Sequence, residues 1–406
     1  MTETAPSMQL LRRVNAGALL AIMRKSGGVM TASELVKATG LTRATVISIC
    51  DDLVEMGWVK ELENQRDAQY AKGRPARRFA FDARAGYVLG VDLGDAKTRV
   101  MLADLSGEPL AKVTLPFSGA GAPAAERLDV VNRAVLAALE DAEVPSVSVL
   151  AVSVGVAAPV SRDEAVLVTD AHWQMFDIDL PKALADQYGW HVLLENDANL
   201  AALGERWRGA AQGVDDLAVL LAGDRIGAGV FESGRLLHGS RGGFGELGYV
   251  GMIEGVEGPL GLATLARTWG REAVLSAAPT SLSEMCPNSP DDLTAEMVFA
   301  AAAGGDHVAA EILNRLATSM ARVIASLSCL LNPALVVIGG AVADSAHAII
   351  PDLTDRLPTY TSTPPLVAAS QLGEAIVSIG AVRHALDYVE DHALEMRPAD
   401  LDHRVA

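Results

Sequence analysis

Apolar positions recur at helical spacing near the start of the chain. Met8, Leu11, Val14, Leu19, Ile22 and Met23 predict an amphipathic helix over 8–26, stopped by Gly27-Gly28. Thr31-Ala-Ser-Glu34 is a capping-box pattern, and it opens a short helix through Leu35, Val36 and Ala38. Gly40 marks a turn. Thr42 then caps a longer helix running from Arg43 through Met56 and ended by Gly57, with Val46, Ile49, Leu53 and Val54 on its inward face. Beyond Trp58-Val59 lies a polar, basic stretch containing Lys72-Gly-Arg-Pro-Ala-Arg-Arg78. Phe79 and Phe81 then alternate with Ala80 and Asp82, as in a β-hairpin. Two helices joined by a tight glycine turn, followed by a basic hairpin, predict a winged helix-turn-helix over residues 1–84.

From residue 85 the pattern changes to short apolar runs alternating with helical stretches. Runs at 88–93, 98–103, 147–155, 192–194, 217–221, 227–231 and 335–338 read as strands, and 128–139, 181–188, 199–206 and 308–331 as helices. This predicts a mixed α/β body of two lobes, 85–198 and 199–406, with the C-terminal helix returning to the first lobe.

Charge sharpens this division. The chain of 406 residues carries a net charge of −18. Residues 1–84 hold 13 Lys/Arg against 9 Asp/Glu, whereas the remainder holds 20 against 42. A basic head on an acidic body points to a polyanion approached by the head alone, and the helix-turn-helix followed by a basic wing makes that partner double-stranded DNA. Half of the residues are apolar, yet no run is long and uncharged enough to span a bilayer, and Met1-Thr-Glu-Thr-Ala-Pro lacks the layout of a signal peptide. A soluble cytoplasmic protein without a membrane partner is expected. Cys50, Cys286 and Cys329 show no metal-ligand spacing and argue against a disulfide framework.

In the predicted recognition helix, Thr42, Arg43, Thr45 and Ser48 stand at the N-terminal end, where such a helix meets base edges. Arg43 is suited either to a bidentate bond to guanine or to clamping a phosphate. Arg74, Arg77 and Arg78 would give the wing a positive tip for phosphates or a minor groove; Gly73-Arg74-Pro75 taken alone is equally an ordinary turn.

Four stations in the body follow one another in order: a strand–turn–strand at Asp92–Asp104, Glu195-Asn-Asp-Ala-Asn199, Gly239-Ser-Arg-Gly-Gly-Phe-Gly-Glu-Leu-Gly248 and Asn332-Pro-Ala-Leu-Val-Val-Ile-Gly-Gly340. With the head, they resemble the ROK family of repressors, open reading frames and kinases. The resemblance implies a two-lobed actin-like, hexokinase-like (ribonuclease H-like) body with a sugar cleft between the lobes. In members with a winged head it implies a transcriptional regulator acting as a homodimer or a dimer of dimers.

The departures from the family pattern set the expected activity. Family kinases use a carboxylate at the second station as general base on a sugar hydroxyl, and Asp197 holds that place. Where the family has Gly-Thr in its first phosphate loop, this chain has Asp95-Ala96, and the Gly-Thr-Gly of the second loop is replaced by Gly223-Asp224-Arg225. Two acids at the expected phosphate positions oppose a nucleotide unless Lys97, Arg225 or a metal offsets them. Loss of ATP binding is therefore expected, with no catalytic residues and no cofactor. Family members also carry a His and a Cys-rich zinc loop after Gly-Glu-x-Gly. Here Tyr249 follows Gly248, and residues 251–265 contain neither Cys nor His, so no metal is expected.

The resemblance leaves Asn196, Asp197 and Glu246 as sugar-hydroxyl partners, with a cap on the helix near Asn199 as the lesser alternative for Asp197. Asp170, His172 or Trp173 stands in for the family's sugar-contacting Asn or merely packs its loop, and Tyr249 either donates its hydroxyl or packs. The expected function is a sugar-responsive repressor. A bifunctional DNA-binding sugar kinase and a ligand-independent dimeric DNA-binding protein are the alternatives.

Overall fold

Thr31 and Thr42 start two of the three helices of the head. The structure, a computed structural model, describes residues 8–63, 76–119, 121–168, 171–396 and 398, with Ala171, His172 and Tyr249 placed by their main chain only. Helix α1 (Met8–Ser26) is followed by strand β1 (Val29–Thr31), then α2 (Ala32–Thr39) and α3 (Arg43–Glu55). The predicted capping box forms: the Thr31 hydroxyl accepts from the Glu34 N–H, and the Glu34 carboxylate accepts from Thr31 N at 2.7 Å. Gly40 ends α2 at φ 70°, a left-handed conformation that a β-carbon would strain, and this turns the chain into α3.

Strands β2 (Val59–Leu62) and β3 (Arg78–Phe81) make the wing, and β3 lies between β1 and β2 in an antiparallel sheet. The head core joins Leu19, Leu20 and Met23 to Leu35, Val46, Ile49, Leu53, Trp58 and Phe79, each at most 2% exposed. On α3 the fourth inward residue is Cys50 rather than Val54, because one turn beyond Val46 falls at 50.

Two compact units divide the chain: residues 1–154 with 178–193 and 381–406, and residues 155–177 with 194–380. The first sheet of the body contains β4 (Tyr87–Leu93), β5 (Lys97–Asp104), β6 (Pro109–Pro116), β7 (Val149–Val156) and β8 (His191–Asn196), in the order β6-β5-β4-β7-β8. Helices α4 (Ala124–Asp141) and α5 (Leu180–Tyr188) accompany it.

The second unit starts its helices with α6 (Asp197–Arg208). Its sheet contains β9 (Leu217–Leu221), β10 (Gly227–Glu232), β11 (Arg235–Leu236), β12 (Leu335–Gly339) and β13 (Leu366–Ala369), in the order β11-β10-β9-β12-β13. Counted from the first strand of each, both sheets read 3-2-1-4-5. The first three strands of each run antiparallel, and β12 pairs parallel to both β9 and β13. A duplicated sheet of this order is the actin-like, ribonuclease H-like architecture.

The core of the second unit lies on α7 (Leu262–Leu275), α8 (Leu282–Met285), α9 (Ala295–Ala303), α10 (His307–Leu331), α11 (Ala343–Ala346) and α12 (Ile350–Tyr360), through Trp269, Val298, Leu316, Ile324 and Leu353. The last helix, α13 (Ile376–Asp391), carries the chain from the second unit into the first.

In the first unit the head rests on the end of this chain. The indole N–H of Trp58, 1% exposed, donates to the Ala393 carbonyl at 2.8 Å. Arg13 on α1 donates to the Asp391 carbonyl at 2.6 Å and to Glu395 at 3.1 Å. Three body strands escape the hydrophobic pattern, β6, β11 and β13. All three are edge strands: β6 mixes apolar and polar residues, β11 is two residues long, and β13 is a run of only four, Leu366–Ala369, with Leu366 exposed.

Candidate functional site

The recognition helix begins at a tight polar cap. The Thr42 hydroxyl accepts from Thr45 N at 3.2 Å and lies 2.8 Å from the Thr45 hydroxyl. Arg43 is exposed and donates to the Ser33 hydroxyl at 3.2 Å, which spans the turn between α2 and α3. Ser48 accepts from Arg12 at 3.0 Å, and Arg12 also pairs with Asp52. Arg12 therefore brings an α1 guanidinium to the α3 surface. The sequence reading missed it because the two residues are 36 positions apart.

Arg77 is not an open wing cation. Its guanidinium meets Glu61 at 2.6 Å and Asp51 at 2.6 Å, tying β3 to β2 and α3. A local count of basic residues is blind to acids supplied by neighbouring elements. Arg78 is half-buried on β3, opposite Thr31 and Leu62. Arg74 lies outside the described residues, as does Asp170.

The candidate effector residues lie in the second unit. Asn196, not Asp197, caps α6: its side-chain oxygen accepts from Ala198 N at 2.9 Å and Asn199 N at 3.1 Å. The helix thus starts at Asp197, two residues before the expected position. Asp197 falls in its first turn, where a carboxylate is favoured by the helix dipole, and accepts from Ala198 N at 2.8 Å. The Asn196 amide donates to the Ala158 carbonyl at 3.1 Å and reaches Glu246 at 3.5 Å.

Glu246 is brought there by a glycine-rich turn. Gly245 has φ 86°, and a β-carbon on it would collide with the Ala228 carbonyl oxygen, so the chain passes against β10 only with glycine. Burial pushes the Glu246 carboxyl up to about 7, against the opposing charge of Arg225. Beneath this group the buried Glu195 accepts from Asn199 at 2.9 Å and sits 2.8 Å from His238, a partner absent from the sequence reading.

His172 and Trp173 lie on the 3-10 turn Ala171–Phe176, and Tyr249 lies on another, Leu247–Met252. Trp173 is half-buried, and among the described residues no hydrogen bond joins it to Asn196, Asp197 or Glu246.

The two phosphate-loop positions are held by protein groups. In the first unit Arg127, fully buried, donates to the carbonyls of Gly94 at 2.8 Å, Asp95 at 2.7 Å and Ala122 at 3.0 Å. In the second, Asp224 pairs with Arg267 at 2.5 Å. The Ala222, Gly223 and Asp224 carbonyls accept from Leu262, Ala263 and Gly261 N–H groups at the start of α7. Among the described residues no cluster of three or more Cys, His, Asp or Glu side chains is placed to hold a metal ion, and no helix is long and apolar enough to cross a membrane.

A model of the ROK family matches residues 88–387, and a model of the MarR family matches residues 11–69. The chain is 30% identical to a glucokinase of Thermotoga maritima over 314 residues, covering 71% of this chain and 94% of the relative. It is 24% identical to the DNA-binding transcriptional dual regulator NagC of Escherichia coli K12 over 377 residues, covering 89% of this chain and 90% of the relative. Among solved structures, a ROK family transcriptional regulator, a homologue of the E. coli MLC protein, superposes with a TM-score of 0.78 at 21% identity. That likeness in fold covers 96% of this chain and all of the other. The chain belongs to the ROK family, with a MarR-type winged-helix domain ahead of its actin-like, hexokinase-like body.

Proposed function

We propose that this chain is a sugar-responsive transcriptional repressor whose ROK body serves as a non-catalytic effector module. The observation that carries the reading is the winged-helix head, complete with capped recognition helix and wing strands. The similarity to the regulator NagC runs through head and body alike, whereas the similarity to the glucokinase covers 71% of this chain. Thr42, Arg43, Thr45 and Ser48 meet operator DNA, with Arg74 and Arg78 on the wing side, and the protein binds in the cytoplasm as a homodimer or dimer of dimers. Effector and operator are coupled because the sugar has different affinities for the DNA-bound and released arrangements.

The effector is a neutral monosaccharide or polyol, taken by Asp197 and Glu246 with Asn196 framing them and the His172–Trp173 segment and Tyr249 contributing. Because Asn196 caps α6, the cap does not require the Asp197 carboxylate, which suits it to accept a hydroxyl. Fluorescence anisotropy with the protein's own upstream DNA, with and without sugars, tests the reading. Specific retention that a sugar reverses supports it, and absence of binding at low salt overturns it. Retention of Asp197 favours a second reading, a DNA-binding sugar kinase, which requires phosphorylation of a hexose by ATP.

A further inference from the structure

We infer that His238 is a positioning residue of the effector site, holding Asn196 and Asp197 in place through its bond to Glu195. The inference rests on the proposed role of Asn196, Asp197 and Glu246 in sugar binding.

Glu195 is 7% exposed, and a carboxylate so placed requires donors on both oxygens. One oxygen accepts from the Asn196 main-chain N–H at 2.7 Å and the Asn199 amide at 2.9 Å. The other lies 2.8 Å from His238 Nε2. The first two donors belong to the start of α6 itself. His238 comes from the segment after β11, eight residues before Glu246. The His238–Glu195 bond therefore ties the segment carrying Glu246 to the helix start carrying Asn196 and Asp197. β10 links the same two segments through its main chain, but the one direct side-chain contact between Asn196 and Glu246 is 3.5 Å, long for a hydrogen bond.

The surroundings of the ring favour its charged form. The bond to Glu195 raises the His238 pKa most, burial opposes it, and a bond to the Leu236 main chain adds to the rise. Burial alone would raise Glu195, but the bonds from His238 and Asn199 outweigh it and leave the carboxyl lowered. Three other charged groups face the pair. Arg162, bonded to the Gly239 carbonyl at 2.9 Å, opposes the His238 charge. Glu164 is pushed up by burial and by the charge of Glu195. Glu246 titrates at about 7. With the folded pKa of His238 raised, the added strength that the ring's charge gives the tie is fully present below the ordinary histidine value of 6.5 and is lost as pH rises through the raised value, leaving a neutral hydrogen bond.

The test uses the full chain. In protein labelled at histidine, the His238 ring should titrate above the ordinary value and return toward it in Glu195→Gln. In His238→Leu, amide exchange across residues 195–200 should quicken. Calorimetry with D-glucose, N-acetyl-D-glucosamine and D-xylose then reads the site. His238→Leu should weaken the best-binding sugar about tenfold at pH 6, the loss expected for a charge-assisted bond. His238→Gln, which keeps a neutral donor, should recover most of that affinity and remove the His238 part of the pH dependence, leaving the part due to Glu246. An ordinary His238 titration with unchanged exchange in His238→Leu overturns the tie. Quickened exchange with unchanged sugar affinity and pH profile overturns the positioning role. If none of the three sugars binds the wild-type chain, the effector reading and the positioning role fall together, while the ring titration and exchange still decide the tie.

Discussion

Arg24 on the first helix of the head meets Glu390 near the end of α13 at 2.6 Å, with only 13% of each side chain exposed. Arg383 reaches the same carboxylate at 3.1 Å and also pairs with Asp387. Burial and the neighbouring Arg383 lower the Arg24 pKa, and Glu390 works against both. The winged-helix head is therefore keyed to the last helix of the chain by a buried charge network within one unit.

Glu390→Ala should leave two guanidinium groups buried without their shared acceptor. The expected loss of stability is about 3–5 kcal/mol, the range for breaking a buried pair from one side. Urea denaturation of the full chain at pH 7 measures it. A loss below about 1 kcal/mol would place the network with ordinary surface pairs.

Arg43→Ala and Arg77→Ala should separate DNA contact from support of the fold. Arg43→Ala should weaken operator binding by about 1–3 kcal/mol if the guanidinium reads a base. Arg77 already meets Glu61 and Asp51, so Arg77→Ala should cost about 1 kcal/mol of stability. It should leave the salt dependence of DNA binding unchanged. Anisotropy titrations over a range of salt check both, since loss of a phosphate contact would shallow the slope by about one.

Glu246 should make stability fall as pH rises. The unfolded side chain gives up its proton near 4.5, whereas the folded one holds it to about 7. Across that window the unfolded chain binds fewer protons, so the folded state loses about 2–3 kcal/mol as pH rises through it. Glu246→Gln should match wild type at pH 4.5 and exceed it at pH 8. Thermal unfolding at the two pH values checks this, and parallel curves for the two proteins would contradict it.

ATP with magnesium should give no binding heat in calorimetry at millimolar nucleotide, and hexoses should not be phosphorylated above background. Asp95 and Asp224 stand where the family places uncharged phosphate-loop residues, and the nearby cations are already engaged: Arg127 by the carbonyls of Gly94, Asp95 and Ala122, and Arg267 by Asp224. Micromolar binding would show that the acids are offset and would favour the kinase reading.

The head and the course of the body were legible because their signals are local. Helical spacing from Met8 to Met23, the Thr31–Glu34 box and the Thr42 cap each involve residues within a turn or two of one another, and all formed. The edge strands β6, β11 and β13 were not legible, since β6 mixes apolar and polar residues as a half-covered strand does, and β11 and β13 are too short to stand out. Glu195-Asn-Asp-Ala-Asn marked the start of a helix, but the roles within it shifted: Asn196 took the cap considered for Asp197.

The sequence by itself determined the winged head, the α/β body and the basic head on an acidic body, because periodicity, caps and charge are properties of neighbouring residues. The tertiary structure alone decided which polar groups meet. Trp58 bonds a carbonyl 335 residues away, Arg24 an acid 366 away and Glu195 a histidine 43 away. Arg77 looked like a DNA contact until Glu61 and Asp51 came to it. A buried charge or donor must find a partner wherever the packed chain supplies one, and that partner is set by how the elements stack rather than by what lies beside it in sequence.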